Sequence, residues 1–305
     1  MPEKNVTAIA KPFLKWAGGK TQLLDAIEKH MPPTSKLNEL TYVEPFAGSG
    51  AVLFRVLQSC PAIKKAVIND INTDLVTAYH VIKKEPEKLI RELGKIQEQY
   101  YQLNSEEAKK TFFLEKREQF NHREVIKDSI TRSTLLIFLN KTCFNGLYRV
   151  NSRNSFNVPH GRYVRPKICD ETTIKENSKI LQKVTILNGD FEETLTHVEG
   201  KGFFYFDPPY RPLNKTSSFT AYAAGTFDDT AQTRLAGFAR KLHKQGHYWL
   251  LSNSDPRNIN SEDDFFDRLY EAYSIRRIPA TRMINSKGDK RGAINELLIY
   301  NYDVK

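Results

Sequence analysis

A run of four aromatic residues that ends in an acid and two prolines places the tightest constraint on the fold of this chain. Residues 203–206 read Phe-Phe-Tyr-Phe, and Asp207, Pro208, Pro209 and Tyr210 follow. The β-favouring aromatics predict a buried strand. Because neither proline has a backbone N–H to donate, the strand must end at Asp207 and the chain must leave the sheet as a stiff turn. The run therefore predicts an α/β sheet with a ligand-binding loop at its carboxyl edge.

The loop after this strand combines hydrogen-bond acceptors with a flat ring. Asp207 carries a carboxylate, the Pro208 carbonyl is left without a strand partner, and Tyr210 supplies an aromatic face. Such a group of side chains suits a planar amine. The competing interpretation is an ordinary strand exit in which Asp207 serves only as a cap, and an Asp-Pro pair alone would favour it.

A strand, a glycine turn and a helix follow one another earlier in the chain. The strand covers residues 40–44, the turn contains Gly48 and Gly50, and the next short strand ends at Asp70. An acid at that place holds ribose hydroxyls in nucleotide-binding α/β folds. The dinucleotide pattern requires a third glycine where Leu53 stands, so a pyrophosphate ligand is disfavoured.

The N-terminal segment mixes basic, aromatic and glycine residues before a helical pattern. Residues 18–21 read Gly-Gly-Lys-Thr, which resembles the end of a phosphate-binding loop, but Leu14 stands where that loop requires a glycine. A nucleotide triphosphatase is therefore disfavoured. The remaining interpretations are backbone that approaches a ligand closely and a plain helix N-terminus with a glycine-rich lead-in.

Strand patterns recur along the chain and are interrupted by one long helical region. We expect strands at residues 40–44, 66–69, 184–188, 203–206, 247–251, 274–279 and 296–302. Residues 74–139 read as helices with apolar stripes, and residues 228–245 as an amphipathic helix. The long helical region has no strand alternation, so we expect it to form a subdomain outside the sheet.

The segment over residues 140–163 interleaves asparagine, arginine and aromatic residues. Residues 147–151 and 156–159 read as two short strands joined by residues 152–155, which predicts a β-hairpin. Arginine and asparagine pair with guanine and adenine edges, and a two-stranded ribbon fits a major groove. A polar surface hairpin without a ligand is the alternative.

Composition indicates a polyanionic partner and a reducing compartment. Lys and Arg number 46 against 36 Asp and Glu, a formal net charge of +10, which favours nucleic acid through counterion release. Three widely spaced cysteines predict reduced thiols and no zinc site. Without a signal peptide or a long apolar run, we expect a cytoplasmic protein that does not bind membranes.

Together these segments resemble the Dam-like, D12-class DNA adenine-N6 methyltransferases. The matching segments cover nearly the whole chain, in the order of that family: residues 15–20, 44–50, 69–70, 145–149, 156–163 and 207–210. The resemblance implies a Rossmann-like seven-stranded sheet that binds S-adenosyl-L-methionine, formed by residues 1–73 and 184–305. It also implies an inserted, mainly helical target-recognition domain over residues 74–183, with the hairpin at about residues 145–163.

The resemblance assigns residues to three groups. The catalytic residues are Asp207, Pro208, Pro209 and Tyr210. The cofactor-binding residues are Trp16, Lys20, Glu44, Pro45, Phe46, Gly48, Gly50, Asp70 and Asp207, and no metal is expected. The DNA-binding residues are Arg149, Asn151, Asn157, Pro159 and Arg162, and they are similar enough to the family hairpin to predict the site GATC in duplex DNA.

The residues also predict a mechanism. A flipped adenine stacks on Tyr210, and its N6 hydrogens are held by Asp207 and the Pro208 carbonyl. Two acceptors on N6 draw that nitrogen towards tetrahedral geometry and stabilise the positive charge that develops as the methyl group arrives. We expect a bacterial or phage enzyme that acts as a monomer.

Two other functions stay open at this point. The same chemistry could act on RNA adenine, or the fold could be a non-catalytic DNA-binding protein. The acceptor loop disfavours the second, and the groove-reading hairpin disfavours the first, because the A-form major groove is too narrow to enter. The sequence does not decide between a partner of a restriction endonuclease and a solitary enzyme.

Overall fold

The computed structural model describes residues 9–16, 20, 23–211, 227–281 and 293–304. The chain divides into two compact units. The first unit contains Met1–Gly19, Gly48–Ser59 and Asp70–Asn188, and the second contains Lys20–Ala47, Cys60–Asn69 and Gly189–Lys305.

The strands form one seven-stranded sheet in the order β3-β2-β1-β4-β5-β7-β6. Their bounds are β1 Thr41–Glu44, β2 Ala66–Asn69, β3 Val184–Leu187, β4 Gly202–Phe206, β5 Tyr248–Ser254, β6 Ser274–Thr281 and β7 Ala293–Tyr300. Strand β1 is parallel to β2 and β4, β4 is parallel to β5, and β7 is antiparallel to β5 and β6. The predicted Rossmann-like α/β fold class is confirmed, and all seven strands predicted for the sheet are present.

The register of the parallel strands in the second unit sets the position of the acidic residues. Val43 lies opposite both Val67 and Phe204, and Phe204 lies opposite Trp249. These four side chains are almost completely buried, as the aromatic run predicted. Because the strands run in one direction, the residues that follow them come out at the same edge of the sheet.

Most of the helices lie in or close to the intervals that the sequence patterns indicated, whereas the helices at residues 34–37, 171–181 and 265–269 were not predicted. The helices are α1 Leu24–His30, α2 Thr34–Leu37, α3 Ala51–Ser59, α4 Thr73–Lys84, α5 Pro86–Gln102, α6 Glu106–Asn121, α7 Ser129–Thr142, α8 Glu171–Leu181, α9 Asp229–Lys244 and α10 Phe265–Leu269. Polar side chains begin several of them: Asn72 accepts from the Leu75 N–H, Ser105 from Ala108 and Asp128 from Thr131. Within the described residues, no helix combines the length and the apolar character that a membrane crossing requires.

The predicted hairpin over residues 145–163 reverses the chain without forming continuous strands. Only isolated antiparallel bridges join its two sides in the described chain, Val150 with Phe156 and Cys143 with His160. The turn is closed by the Asn151 carboxamide oxygen, which accepts from the backbone of Arg153 and of Ser155. Hydrogen bonds from a side chain to the nearby backbone compete with the backbone hydrogen bonds that pair two strands, and for this reason the expected strands are not regular.

Several predictions fall on residues that the structure does not describe. The serine- and threonine-rich loop at residues 215–222, expected to close over the site, lies outside the described residues. The basic loop at residues 281–291 does so too, apart from its first residue. Among the described segments, β5 continues to Ser254, three residues further than the sequence indicated.

A buried aspartate ties the helices of the first unit together. Asp74, at the start of α4, is only 2% exposed. Its carboxylate accepts from Arg132 Nε on α7 at 2.5 Å, from Arg123 Nη2 at 2.9 Å and from the Tyr148 hydroxyl at 3.1 Å. Arg123 also donates to the backbone carbonyl of Asn154 in the hairpin. Charge-assisted bonds from three separate segments therefore converge on one carboxylate.

Replacing Asp74 by alanine should destabilise the protein by about 3–5 kcal/mol, because it leaves the largely buried Arg132 guanidinium without its carboxylate. Urea denaturation followed by circular dichroism measures this. The matched control is Glu199→Ala, which breaks an exposed ion pair with Lys65 and should leave the transition unchanged. Equal unfolding midpoints for the two variants would contradict this account of Asp74.

Candidate active site

Lys20 and Asp207 form a partly buried ion pair in the second unit. The Lys20 Nζ lies 2.7 Å from Asp207 Oδ1, and the Lys20 side chain is 4% exposed and that of Asp207 22%. Ser252 Oγ donates to the same carboxylate oxygen at 3.2 Å, and the Tyr205 hydroxyl lies 2.9 Å from that Oγ. Burial raises the pKa of Asp207, while the positive charge of Lys20 and the Ser252 hydroxyl oppose that rise. The ion pair therefore favours the charged form of this carboxylate against the effect of burial.

The Tyr210 ring lies beside this ion pair. Lys20 Nζ is 4.4 Å from the centre of the ring, and the Tyr210 hydroxyl donates to Glu296 Oε2 at 2.5 Å. Burial raises the pKa of Tyr210 well above its usual value, so the phenol stays neutral. One ammonium group thus contacts both the carboxylate and the aromatic face that the sequence singled out.

The two prolines hold this loop against its surroundings. Pro208 is buried, and Pro209 is exposed. The Pro209 carbonyl accepts from Gln232 Nε2 on α9 at 3.1 Å. Asn253 on β5 donates in turn to Gln232 Oε1 at 3.3 Å, so both ends of this amide are used.

Glu44 is a buried acid at the end of β1. It is 2% exposed, and its Oε1 accepts from the Tyr42 hydroxyl at 2.5 Å. Burial, with a smaller contribution from the negative charge of Asp207, raises the pKa of Glu44 to about 8. Glu44 is therefore protonated at neutral pH, and it adds no charge to that of Asp207.

Pro45 and Phe46 continue from this strand end. The Pro45 carbonyl accepts from Asn69 Nδ2 at 3.1 Å, and the Ala47 N–H donates to the Asn69 carbonyl at 2.9 Å. The Phe46 ring packs edge-on against Phe227, with 5.5 Å between ring centres. These contacts fix the backbone that leaves β1.

The other predicted cofactor residues lie together in the first unit. The Gly48 N–H donates to Asp70 Oδ2 at 3.0 Å. Gly48 has a φ of +49° and Gly50 one of +75°, and a Cβ on Gly48 would come within 3.2 Å of the Trp16 ring. The turn thus needs glycine for its backbone angles and for its close approach to Trp16. Burial raises the pKa of Asp70, and the N–H groups of Asn72 and Gly48 counter that effect.

The predicted DNA-binding residues bond to one another and to nearby helices. Arg149 donates from Nε to Asn157 Oδ1 at 2.8 Å and from Nη2 to the Asn157 carbonyl at 3.2 Å. The Pro159 carbonyl accepts from the Phe144 N–H, and the exposed Arg162 pairs with Glu106 on α6 at 3.2 Å. Arg149 therefore donates to both the side chain and the backbone of Asn157.

Sequence reasoning missed two polar residues that contact the loop at residues 207–210. Ser252 directly follows the predicted strand at residues 247–251, and Glu296 is the first residue of the predicted strand at residues 296–302. The structure places Ser252 on β5 and Glu296 on β7, and a sequence signal existed for each, because a polar residue adjoins an apolar run at both positions. The hairpin side chain Tyr148 was also missed as a contact of Trp16; their rings stack with centres 5.1 Å apart and planes 23° apart.

Comparison with known proteins gives a consistent assignment. The D12 class N6 adenine-specific DNA methyltransferase family matches residues 16–284. A type II methyltransferase, M.MjaIII of Methanocaldococcus jannaschii, is 51% identical over 96% of this chain and 99% of its own length. The type II methyltransferase M1.LlaDCHI of Lactococcus lactis is 39% identical over 96% of this chain and 95% of its own. A DNA adenine methylase of Vibrio cholerae is 33% identical over 94% and 95%.

The raised pKa of Glu44 predicts a pH-dependent contribution to stability. Its folded-state pKa of about 8 lies above the ordinary value of 4.5, so folding favours the protonated acid. The stability that this proton supports is complete below pH 4.5 and is lost as the pH rises through 8. We expect Glu44→Gln to remove that loss, on the order of a few kcal/mol at pH 9. Urea denaturation of both proteins at pH 6 and pH 9 measures it, and parallel pH profiles would contradict it.

Proposed function

The chain belongs to the D12 class N6 adenine-specific DNA methyltransferase family, and from that premise we propose that it transfers a methyl group from S-adenosyl-L-methionine to adenine N6 within GATC. The activity on DNA adenine follows from the family. The methyl donor, the site and the role of each residue are the proposal. The site rests on the similarity of the hairpin to that of the Dam-like enzymes, and relatives named DNA adenine methylase support it.

The position of the Lys20 ammonium is the observation that carries the proposed catalytic site. This nitrogen donates to Asp207 at 2.7 Å and lies 4.4 Å from the centre of the Tyr210 ring. The amino group of a flipped adenine needs the same two partners, a carboxylate for its hydrogens and an aromatic face for its ring. The loop can therefore hold a planar amine where it now holds an ammonium.

The reaction requires a better nucleophile than free adenine, because the N6 lone pair is delocalised into the ring. Asp207 and the Pro208 carbonyl accept the N6 hydrogens, which draws the nitrogen towards tetrahedral geometry. Asp207 also stabilises the positive charge that develops on N6. The Lys20 charge and the Ser252 hydroxyl favour the charged form of Asp207, which is the form that accepts a hydrogen bond from N6 most strongly.

The proposed methyl donor fits the residues present in each unit. In the first unit, Asp70 carries a carboxylate at a strand end, suited to ribose hydroxyls, and Gly48 lets the backbone approach the Trp16 ring closely. In the second unit, the protonated Glu44 and its neighbours would lie beneath the methionine part. The donor would supply a methyl group bound to a sulfonium; the methyl–sulfur bond would break as the bond to N6 forms, leaving a neutral thioether, and N6 would release one of its protons to solvent.

DNA recognition is assigned to residues 74–183, with the hairpin as the reading element. Arg149 and Asn157 are proposed to contact base edges together with Asn151, and Arg162 to contact the DNA nearby. The protein is proposed to act as a monomer. Relatives named type II methyltransferases support a companion endonuclease for the same site.

Methylation of plasmid DNA tests the proposed function directly. The protein is incubated with labelled S-adenosyl-L-methionine and plasmid, and the product is cut with paired endonucleases that differ in sensitivity to adenine methylation at GATC. We expect label in DNA and altered cutting at GATC. Asp207→Ala should reduce turnover at least about a hundredfold while the far-ultraviolet spectrum is unchanged.

The outcomes of this experiment separate the parts of the proposal. Label without altered cutting at GATC would overturn the site and keep the chemistry. Label in matched RNA and none in duplex DNA would overturn the substrate. An Asp207→Ala variant with full activity would overturn the catalytic assignment.

Replacing Arg149 by alanine should relax base choice without affecting cofactor affinity. A bidentate contact to a base is worth about 1–3 kcal/mol of discrimination, so the preference for GATC over sites with one changed base should fall about tenfold or more. Competition between matched oligonucleotides measures the ratio. Arg165→Ala, which removes a cation from the face of the Tyr101 ring, is the control and should leave the ratio unchanged.

A further inference from the structure

We propose that Glu296 is a positioning residue for methyl transfer, which orients the Tyr210 ring through its hydroxyl group. The inference rests on the proposed role of Tyr210 as the surface on which the base stacks. Glu296 Oε2 accepts from the Tyr210 hydroxyl at 2.5 Å. Glu296 lies on β7, beyond residues 16–284 that the family matches, so the family assignment does not include it.

The two partners of this hydrogen bond differ in rigidity. Tyr210 follows two prolines in a loop, and the Pro209 carbonyl is tied to Gln232. Glu296 lies inside the antiparallel part of the sheet, opposite Ser254 on β5 and Ile278 on β6. The Tyr210 ring is attached to a loop through its backbone. Its hydroxyl, at the opposite end of the ring, is bonded to β7, a strand that is paired on both sides.

The ring is constrained at its two ends and on one face. The prolines restrict the backbone, Glu296 holds the hydroxyl, and the Lys20 ammonium lies 4.4 Å from the ring centre. A base that stacks on Tyr210 meets a ring whose long axis is already set by the prolines and Glu296. Because the ring orientation is set before the base stacks on it, less free energy is needed to bring N6 into line with the methyl group.

The charge of Glu296 also bears on the ring. A hydrogen bond from a phenol to a carboxylate is charge-assisted, and it draws electron density towards the ring. An electron-rich face attracts positive charge more strongly. Burial raises the pKa of Glu296, and the Tyr210 hydroxyl and the Lys20 charge oppose that rise. In its charged form, which the Tyr210 hydroxyl and Lys20 favour, Glu296 would favour a base whose N6 gains positive charge during the reaction.

Steady-state kinetics of four variants test the inference. They are Glu296→Ala, Glu296→Gln, Tyr210→Phe and the double variant Tyr210→Phe with Glu296→Ala. If Glu296 acts through the hydroxyl, Glu296→Ala and Tyr210→Phe should each lower kcat about tenfold, with KM for S-adenosyl-L-methionine within about twofold of the unmodified protein. The double variant should be no slower than either single one, since all three remove the same bond.

Glu296→Gln separates the hydrogen bond from the charge. Its amide oxygen can still accept from the hydroxyl, so kcat should recover to within about threefold of the unmodified protein. Glu271→Ala removes an exposed glutamate and serves as the control, with unchanged kcat. A purely structural role for Glu296 would instead lower the unfolding temperature and affect both kinetic constants.

Three results would overturn the inference. The first is a double variant whose kcat falls by the product of the two single losses from Tyr210→Phe and Glu296→Ala. The second is a Tyr210→Phe variant with the full kcat of the unmodified protein. The third is a Glu296→Ala variant with that full kcat. The second can be measured even if Glu296→Ala fails to fold. The plasmid assay that compares the unmodified protein with Asp207→Ala tests the proposed function separately. If the unmodified protein transfers no methyl group to DNA in that assay, both the proposed function and this inference are overturned.

Discussion

The partial burial of a carboxylate at the end of β4 is the constraint on which the second unit depends. A strand as apolar as residues 203–206 must lie inside the sheet, and the carboxylate that follows it is then only 22% exposed. An ionised Asp207 is stable there only with an opposite charge and hydrogen bonds around it. Lys20 and Ser252 supply them.

That requirement explains why the surrounding acids differ in charge. Glu44 lies near Asp207 in the same low-dielectric region and stays protonated, with a pKa of about 8. Burial is the main reason that Glu44 stays neutral, and the negative charge of Asp207 adds a smaller contribution in the same direction. Asp207 and Glu44 have similar intrinsic acidity, so the difference in their protonation comes from their surroundings more than from the residue type.

The sequence allowed the sheet and the local chemistry to be predicted, because both follow from short-range pattern. Apolar runs located the strands, and Asp70 and Asp207 were recognised at strand ends. The contact between Tyr210 and Glu296 could not be predicted in this way, since 86 residues separate them and only the antiparallel pairing of β7 brings them together. The predicted hairpin was more regular than the observed one, because the Asn151 side chain accepts hydrogen bonds from the backbone of the turn that follows it.

The bonds between Arg149 and Asn157 have a consequence for the proposed recognition of bases. The guanidinium already donates to two acceptors of Asn157, at 2.8 and 3.2 Å. A new partner that offers a single acceptor would gain little, because two hydrogen bonds would be given up for one. A partner that presents two acceptors, or that bonds to both side chains at once, would compensate for the bonds that are lost. In the proposed role, an incomplete match would leave Arg149 bonded to Asn157, and selectivity would come from the bonds that are given up as well as from those that are made.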